Sequence, residues 1–331
     1  MPKILVESGK LQVVRKSVTP TIEGGLLVAI TVIMGLVTVY VPIIGMFVEF
    51  FCAVPLAVLT ARQGAGKGLS ALFVTFILLS MLISPILAVR LALSFGICGV
   101  ALGWCVRKNF DAVRIFFMTL VVASAAQVVS ILLLIAVMDV NLIEEQIEMV
   151  RESFAESFKM YEEMGVEPER IDEAKTQVEP ALQTLVFLMP TLIMLTALIN
   201  AVAVWLTARW IFPKLQMKIP QLPPFAQWKL PSLFFYTTII GGLGLYWGFT
   251  RGWTEIYEIS LNLLIVSAII GLIQGLALLS FIFDKYNVSK LMRRLLYVIL
   301  ILNMFLIQIV AITGLLDMLF DYRKKFFERR E

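Results

Sequence analysis

Histidine is absent from this 331-residue chain, and with it goes the side chain that most often serves as general base or metal ligand. Cysteine is scarce. Cys52, Cys98 and Cys105 each sit inside an apolar run and none belongs to a Cys-x-x-Cys pair, so they read as packing residues and not as a disulfide framework or zinc site. Charged residues make up only 16% of the chain, against about 25% in a typical soluble domain. No two carboxylates stand at a useful helical spacing within an apolar run, and no nucleophile has a base beside it. The chain is therefore expected not to be an enzyme, to need no cofactor, to hold no metal and to bind no nucleic acid.

What is abundant is apolar surface. Hydrophobic residues make up 60% of the sequence and the mean hydropathy is +0.90, so lipid is the solvent for most of the chain. A bilayer core about 30 Å thick takes roughly 20 apolar residues per helical crossing. Runs of that kind lie near 24–41, 43–61, 68–84, 86–106, 112–138, 181–212, 232–250, 259–283 and 295–319. The expected fold is all-α, a polytopic bundle of about nine spans. Lys3, Lys10, Arg15 and Lys16 precede the first run without a small-residue cleavage site, so that run is expected to be a retained span.

Lys and Arg in short loops set orientation. The N-terminal segment, the Arg62/Lys67 turn, the Arg107/Lys108/Arg114 turn, the stretch from Arg209 to Lys229 and the Lys285 to Arg294 turn fall on one side if spans alternate. That side is expected to face the cytoplasm, with the protein in a bacterial inner membrane and its N-terminus inside. Nine alternating spans would leave Arg323, Lys324, Lys325, Arg329 and Arg330 on the wrong side, and this conflict stays open at the level of sequence. Residues 139–179 carry thirteen acidic side chains against Arg151, Lys159, Arg170 and Lys175. Within them Ile143, Ile147, Val150, Phe154, Phe158 and Tyr161 recur at helical steps. Gly165 and Pro168 break the pattern, a short second helix follows, and Pro180 opens the next span. The segment is expected to be a helical hairpin outside the membrane, closing on its own stripe or serving as a docking surface.

The turn Ala61-Arg-Gln-Gly-Ala-Gly-Lys67-Gly68 has Lys67 but lacks the first glycine and the hydroxyl residue of a phosphate loop, and it reads as a basic turn. Ionisable side chains inside spans are candidate functional groups because burying them in lipid costs about 2.5–3.5 kcal/mol on insertion scales. Glu49 and Arg90 are the two that stand out, with Gln127 as a weaker ligand candidate. They are expected to face the bundle interior, either bounding an outward cavity or forming a pair that fixes helix register. Asn200, Asn262, Gln274, Asn303 and Gln308 read as interhelical hydrogen-bonding groups. Small-xxx-small spacings at Gly25/Ala29, Gly99/Gly103 and Gly271/Gly275 mark close helix approaches, within the chain or with a partner.

The order of these features, with the Val41-Pro42-Ile-Ile-Gly45 turn, the Pro55 span, the Tyr161-Glu-Glu-Met-Gly165 turn and the closing Gly314-Leu-Leu-Asp317-Met-Leu-Phe-Asp321-Tyr-Arg323, resembles the YybS-like family of bacterial membrane proteins over nearly the whole chain. Gly314, Asp317, Asp321 and Arg323 are its most specific piece. The first six spans also resemble the substrate-binding S component of energy-coupling factor (ECF) transporters, a six-helix bundle whose first helix docks a coupling subunit through small residues. Gly25 and Ala29 are the matching positions. The acidic hairpin and three further spans depart from that pattern. The resemblance implies an N-terminal segment 1–23, a bundle over 24–212 that includes the 139–180 hairpin, further membrane helices over 213–320 and a charged tail 321–331. It implies capture of a small or amphipathic ligand, with the bilayer and a coupling ATPase subunit or other membrane proteins as partners. The alternative is a scaffold or assembly factor without a ligand.

Overall fold

The computed structural model describes residues 5–7, 10–12, 20–138 and 142–324. Lys3, Arg15, Lys16, Asp139 and the tail from Lys325 onward lie outside them. A small antiparallel hairpin pairs β1 (Leu5–Glu7) with β2 (Lys10–Gln12). The rest of the described architecture is helical: α1 (Pro20–Tyr40), α2 (Pro42–Glu49), α3 (Ala53–Gln63), α4 (Ala65–Leu82), α5 (Pro85–Leu91), α6 (Ile97–Arg107), α7 (Ala112–Met138), α8 (Leu142–Glu163), α9 (Pro168–Ile211), α10 (Leu233–Arg251), α11 (Thr254–Lys285), α12 (Lys290–Leu302) and α13 (Met304–Phe320). Eight stretches are long and apolar enough to cross a membrane, and α12 with α13 forms one further bent pair.

The molecule divides into two compact units, residues 1–140 with 195–221, and residues 141–194 with 222–331. In the first unit the breaks follow from local chemistry. Pro42 and Pro85 open α2 and α5, where a missing amide proton costs nothing. The Ser84 hydroxyl caps α5 by accepting from the Leu87 amide at 3.3 Å. Gly64, at φ +99°, turns α3 directly into α4, so the basic turn is a tight helix junction. A one-turn π-helix at Ala92–Gly96 joins α5 to α6. The core gathers Val28, Val32, Leu56, Leu59, Leu72 and Leu79. α3 is its centre, buried from Ala53 through Thr60. α6 approaches it so closely that a Cβ at Gly99 or Gly103 would run into the Ala53 or Ala57 carbonyl. The second half of α9 completes the unit through Thr207, whose hydroxyl donates to the Phe50 carbonyl at 3.2 Å.

In the second unit, α8 and the start of α9 form the acidic hairpin around Gly165 at φ +79°. Arg151 meets Glu179 at 3.1 Å, Lys175 meets Glu162 at 3.0 Å, and the rings of Phe154 and Phe158 stack at 6.3 Å. The stripe is not closed on itself, since Phe154 and Tyr161 remain exposed. The second helix of the hairpin does not stop before Pro180. α9 runs unbroken for 44 residues through Pro180 and Pro190, roughly 66 Å at 1.5 Å per residue.

One device supports that continuity. The Asn262 amide donates to the Phe187 carbonyl at 2.6 Å and accepts from the Thr191 amide at 3.2 Å and hydroxyl at 2.6 Å. Those two backbone groups flank Pro190 and lie one turn apart. Asn262→Ala is expected to lower stability by about 1–3 kcal/mol, the cost of leaving buried polar groups unpaired. Thermal unfolding of the purified protein measures it, and an unchanged midpoint would show that α9 needs no such support.

The two compact units run differently from the domains read in the sequence: the hairpin and the first half of α9 group with α10–α13, where Asn262 of α11 bonds to α9, and residues 195–221 group with α1–α7. Residues 295–319 are also not one straight span. α12 and α13 meet at a 105° bend, and the Asn303 side chain, expected to bond between helices, instead caps α13 by accepting from the Phe305 and Leu306 amides at 3.0 and 3.2 Å. Arg293 at the start of α12 donates to the Phe283 carbonyl at 3.0 Å, and Arg323 just beyond α13 lies 5.8 Å from the Phe281 ring centre. The pair thus leaves and returns at the same end of α11. Its elbow is bare and apolar, with Leu302 80% and Met304 75% exposed.

Candidate functional site

The closing sequence motif is assembled where α13 crosses α11. A Cβ on Gly314 would overlap the Gly271 carbonyl and the Gly275 amide, one on Gly271 would lie 2.7 Å from the Ala311 carbonyl, and one on Gly275 would strike that of Val310. Backbone meets backbone there, which only glycine permits. Close to the crossing, Asp317 is 1% exposed. Its carboxylate accepts from Gln274 Nε2 at 2.7 Å and from the Tyr322 amide at 3.0 Å, and it faces Arg323 Nε at 3.6 Å. Gln274 in turn accepts from the Leu230 amide at 3.0 Å. Arg323, itself buried, donates from Nη1 to the Ala226 carbonyl at 2.6 Å.

Asp321 makes this return of the chain feasible. It ends α13 at φ +45°, a left-handed conformation that Asp tolerates better than most residues, and so carries the Tyr322 amide and Arg323 back to Asp317. Its carboxylate pairs with Lys229. The hydrogen bond from Lys229 is the main reason that this carboxyl is held below the ordinary aspartate range. The four motif residues therefore have four tasks: close approach, buried acceptor, chain reversal and counter-charge. Together they form a latch that fastens the end of α13 to α11 and to the segment before α10. Gln274, Lys229 and the Ala226 and Leu230 backbone are members that the motif alone did not indicate. The one signal was the position of Gln274 between Gly271 and Gly275.

In the first unit the three ligand candidates lie on three different helices. Glu49 is half-buried at the end of α2, and Arg90 is exposed on α5. Among the described residues the two make no ion pair. Gln127 is half-buried on α7. None of the three lines the small cavity of about 20 Å³ between α1, α3, α4 and the π-helical turn. That cavity is bounded by Thr31, Gly35, Cys52, Leu72, Thr75 and Phe95 among others, and the Thr75 hydroxyl is buried with no hydrogen-bond partner. Its volume suits one water-sized group. Among the described residues Gly25 has no close helix contact. Gly25 and Ala29 are both exposed on α1, and a Cβ at Gly25 would meet nothing within 4 Å. Their outward position has a simple cause, because every face of α1 is apolar and the buried one carries Val28, Thr31, Val32 and Gly35.

Residues 29–318 match the family described as "Predicted membrane protein (DUF2232)". Over 314 residues the chain is 23% identical to "Uncharacterized protein YybS" of Bacillus subtilis (strain 168), a match that covers 94% of this chain and 99% of that relative. No solved structure matches it. The family match takes in the helix crossing and Asp317, and it ends before Asp321 and Arg323.

Proposed function

This chain belongs to the DUF2232 family of predicted membrane proteins, and from that premise we propose that its first unit captures a small or amphipathic ligand and docks a membrane partner through α1, in the manner of an ECF S component. The unit holds five spans and the second half of α9, a number of crossings that supports the reading. The observation that carries it is the outward face of α1. Small residues facing lipid gain nothing there, whereas a partner helix gains close packing against them. Ala29→Leu is expected to reduce the recovery of co-purifying membrane partner at least tenfold without changing thermal stability. Unaltered recovery of partner would sink the docking surface. The proposal assigns the chain no reaction of its own.

The same reading places the basic loops in the cytoplasm of a bacterial cell. On this reading, with eight crossings and the α12–α13 pair not crossing, Lys324 belongs to the cytoplasmic side, in keeping with the bias of basic residues to that side. A cysteine at Glu163 is expected to react with an impermeant maleimide in intact cells, and a cysteine at Lys324 only after permeabilisation. Labelling of both from outside would restore a ninth crossing.

A scaffold without a ligand is the second reading, and the 20 Å³ cavity favours it. Mass spectrometry of small molecules released from the purified protein separates the two. A ligand lost in Glu49→Gln or Arg90→Ala supports capture, and a protein that releases none supports the scaffold.

A further inference from the structure

The second unit contains a cleft between the Pro190 region of α9 and the first turns of α11. It is an open cleft of about 370 Å³ lined by Val186, Phe187, Pro190, Glu258, Ile259 and Asn262. Its polar groups are of two kinds. Asn262 is fully committed, because beyond its bonds to Phe187 and Thr191 its amide also donates to the Glu258 carbonyl at 2.9 Å. Glu258 is the one charged lining residue, and among the described residues its carboxylate has neither a hydrogen bond nor an ion pair. The remaining walls are aliphatic, proline or aromatic.

We propose that this cleft binds an amphipathic cation, with an ammonium head on Glu258 and a hydrocarbon tail along Val186, Phe187 and Ile259. An uncompensated carboxylate in apolar surroundings at a membrane protein's surface is stabilised most by a cation. Phe187, which also lines the cleft, is an aromatic of the kind that receives ammonium groups. An anion would meet only repulsion, and a bare divalent metal would find a single carboxylate where hard cations take six or more oxygens. The volume lies within the range of small-molecule sites. The cleft is also preformed, since Asn262 holds α9 and α11 together at its floor and no rearrangement is needed to open it. The proposal stands apart from ligand capture by the first unit, and neither depends on the other.

The test uses the full-length protein in maltoside detergent, probed with dodecyltrimethylammonium, dodecyl sulfate and a neutral dodecyl glycoside by native mass spectrometry. One copy of the ammonium probe is expected to bind in preference to the other two. Glu258→Gln should lower its occupancy at least tenfold while leaving the thermal midpoint unchanged. Ile259→Lys places an internal ammonium at the cleft and should exclude the probe equally. Equal binding of the three probes, or undiminished binding in both variants, would overturn the proposal.

Discussion

Gly314→Leu is expected to separate α13 from α11 and to destabilise the second unit by about 3 kcal/mol or more, the upper range for overpacking. The clash cannot be relieved by a rotamer change, because a Cβ at that position meets the Gly271 carbonyl and the Gly275 amide and not the end of a flexible side chain. A backbone shift of α13 would have to follow, and with it the loss of the bonds to Asp317. Fluorescence-detected size exclusion during a temperature ramp reads the effect. Gly25→Leu, at a position with nothing within 4 Å, is the control and is expected to leave the midpoint in place. A Gly314→Leu protein as stable as the parent would show that the two helices are not in backbone contact.

The second large effect belongs to Asp317. Asp317→Ala leaves Arg323 buried without a counter-charge, a change that costs about 3–5 kcal/mol when one partner of a buried pair is removed. Asp317→Asn keeps side-chain oxygen to accept from Gln274 or the Tyr322 amide and is expected to cost less. The double variant Asp317→Leu with Arg323→Met removes both charges and should recover much of the loss, since apolar replacement of a buried pair is often neutral. If the double variant is no more stable than Asp317→Ala, the charges are not what makes the single change costly. Release of the latch has a topological readout as well. With Asp317 gone, the end of α13 loses its bonds to Gln274 and Arg323, and protection of the Asp321–Lys229 region from proteolysis should fall.

Several features were legible before any coordinates. The spans, their approximate ends and the acidic hairpin follow from where apolar runs stop and charges begin, and Gly165 and Gly64 stand where the chain reverses. The closing motif is recognisable as a unit, with its residues spread over ten positions from Gly314 to Arg323. Other features depend on contacts that the sequence does not carry. Pro180 and Pro190 look like helix ends, yet α9 continues through them because Asn262, far away in sequence, supplies hydrogen bonds around Pro190. Asn303 looks like one more polar residue within a span, but its side chain serves the backbone of the next turn and so permits a 105° bend. Glu49 and Arg90 stand out as charges in apolar runs, and only the structure shows the first half-buried and the second exposed.

The sequence by itself determined that this is a helical membrane protein, because partition between water and lipid is a sum over residues and does not depend on which of them touch. Which face of each span is buried was decided only by the tertiary structure. In water, a helix shows its inner face by an apolar stripe; in lipid, both faces are apolar and the stripe disappears. That is why Gly25 with Ala29 and Gly271 with Gly275 share one spacing and yet differ in fate. The first pair has open space before it, and the second has the backbone of α13.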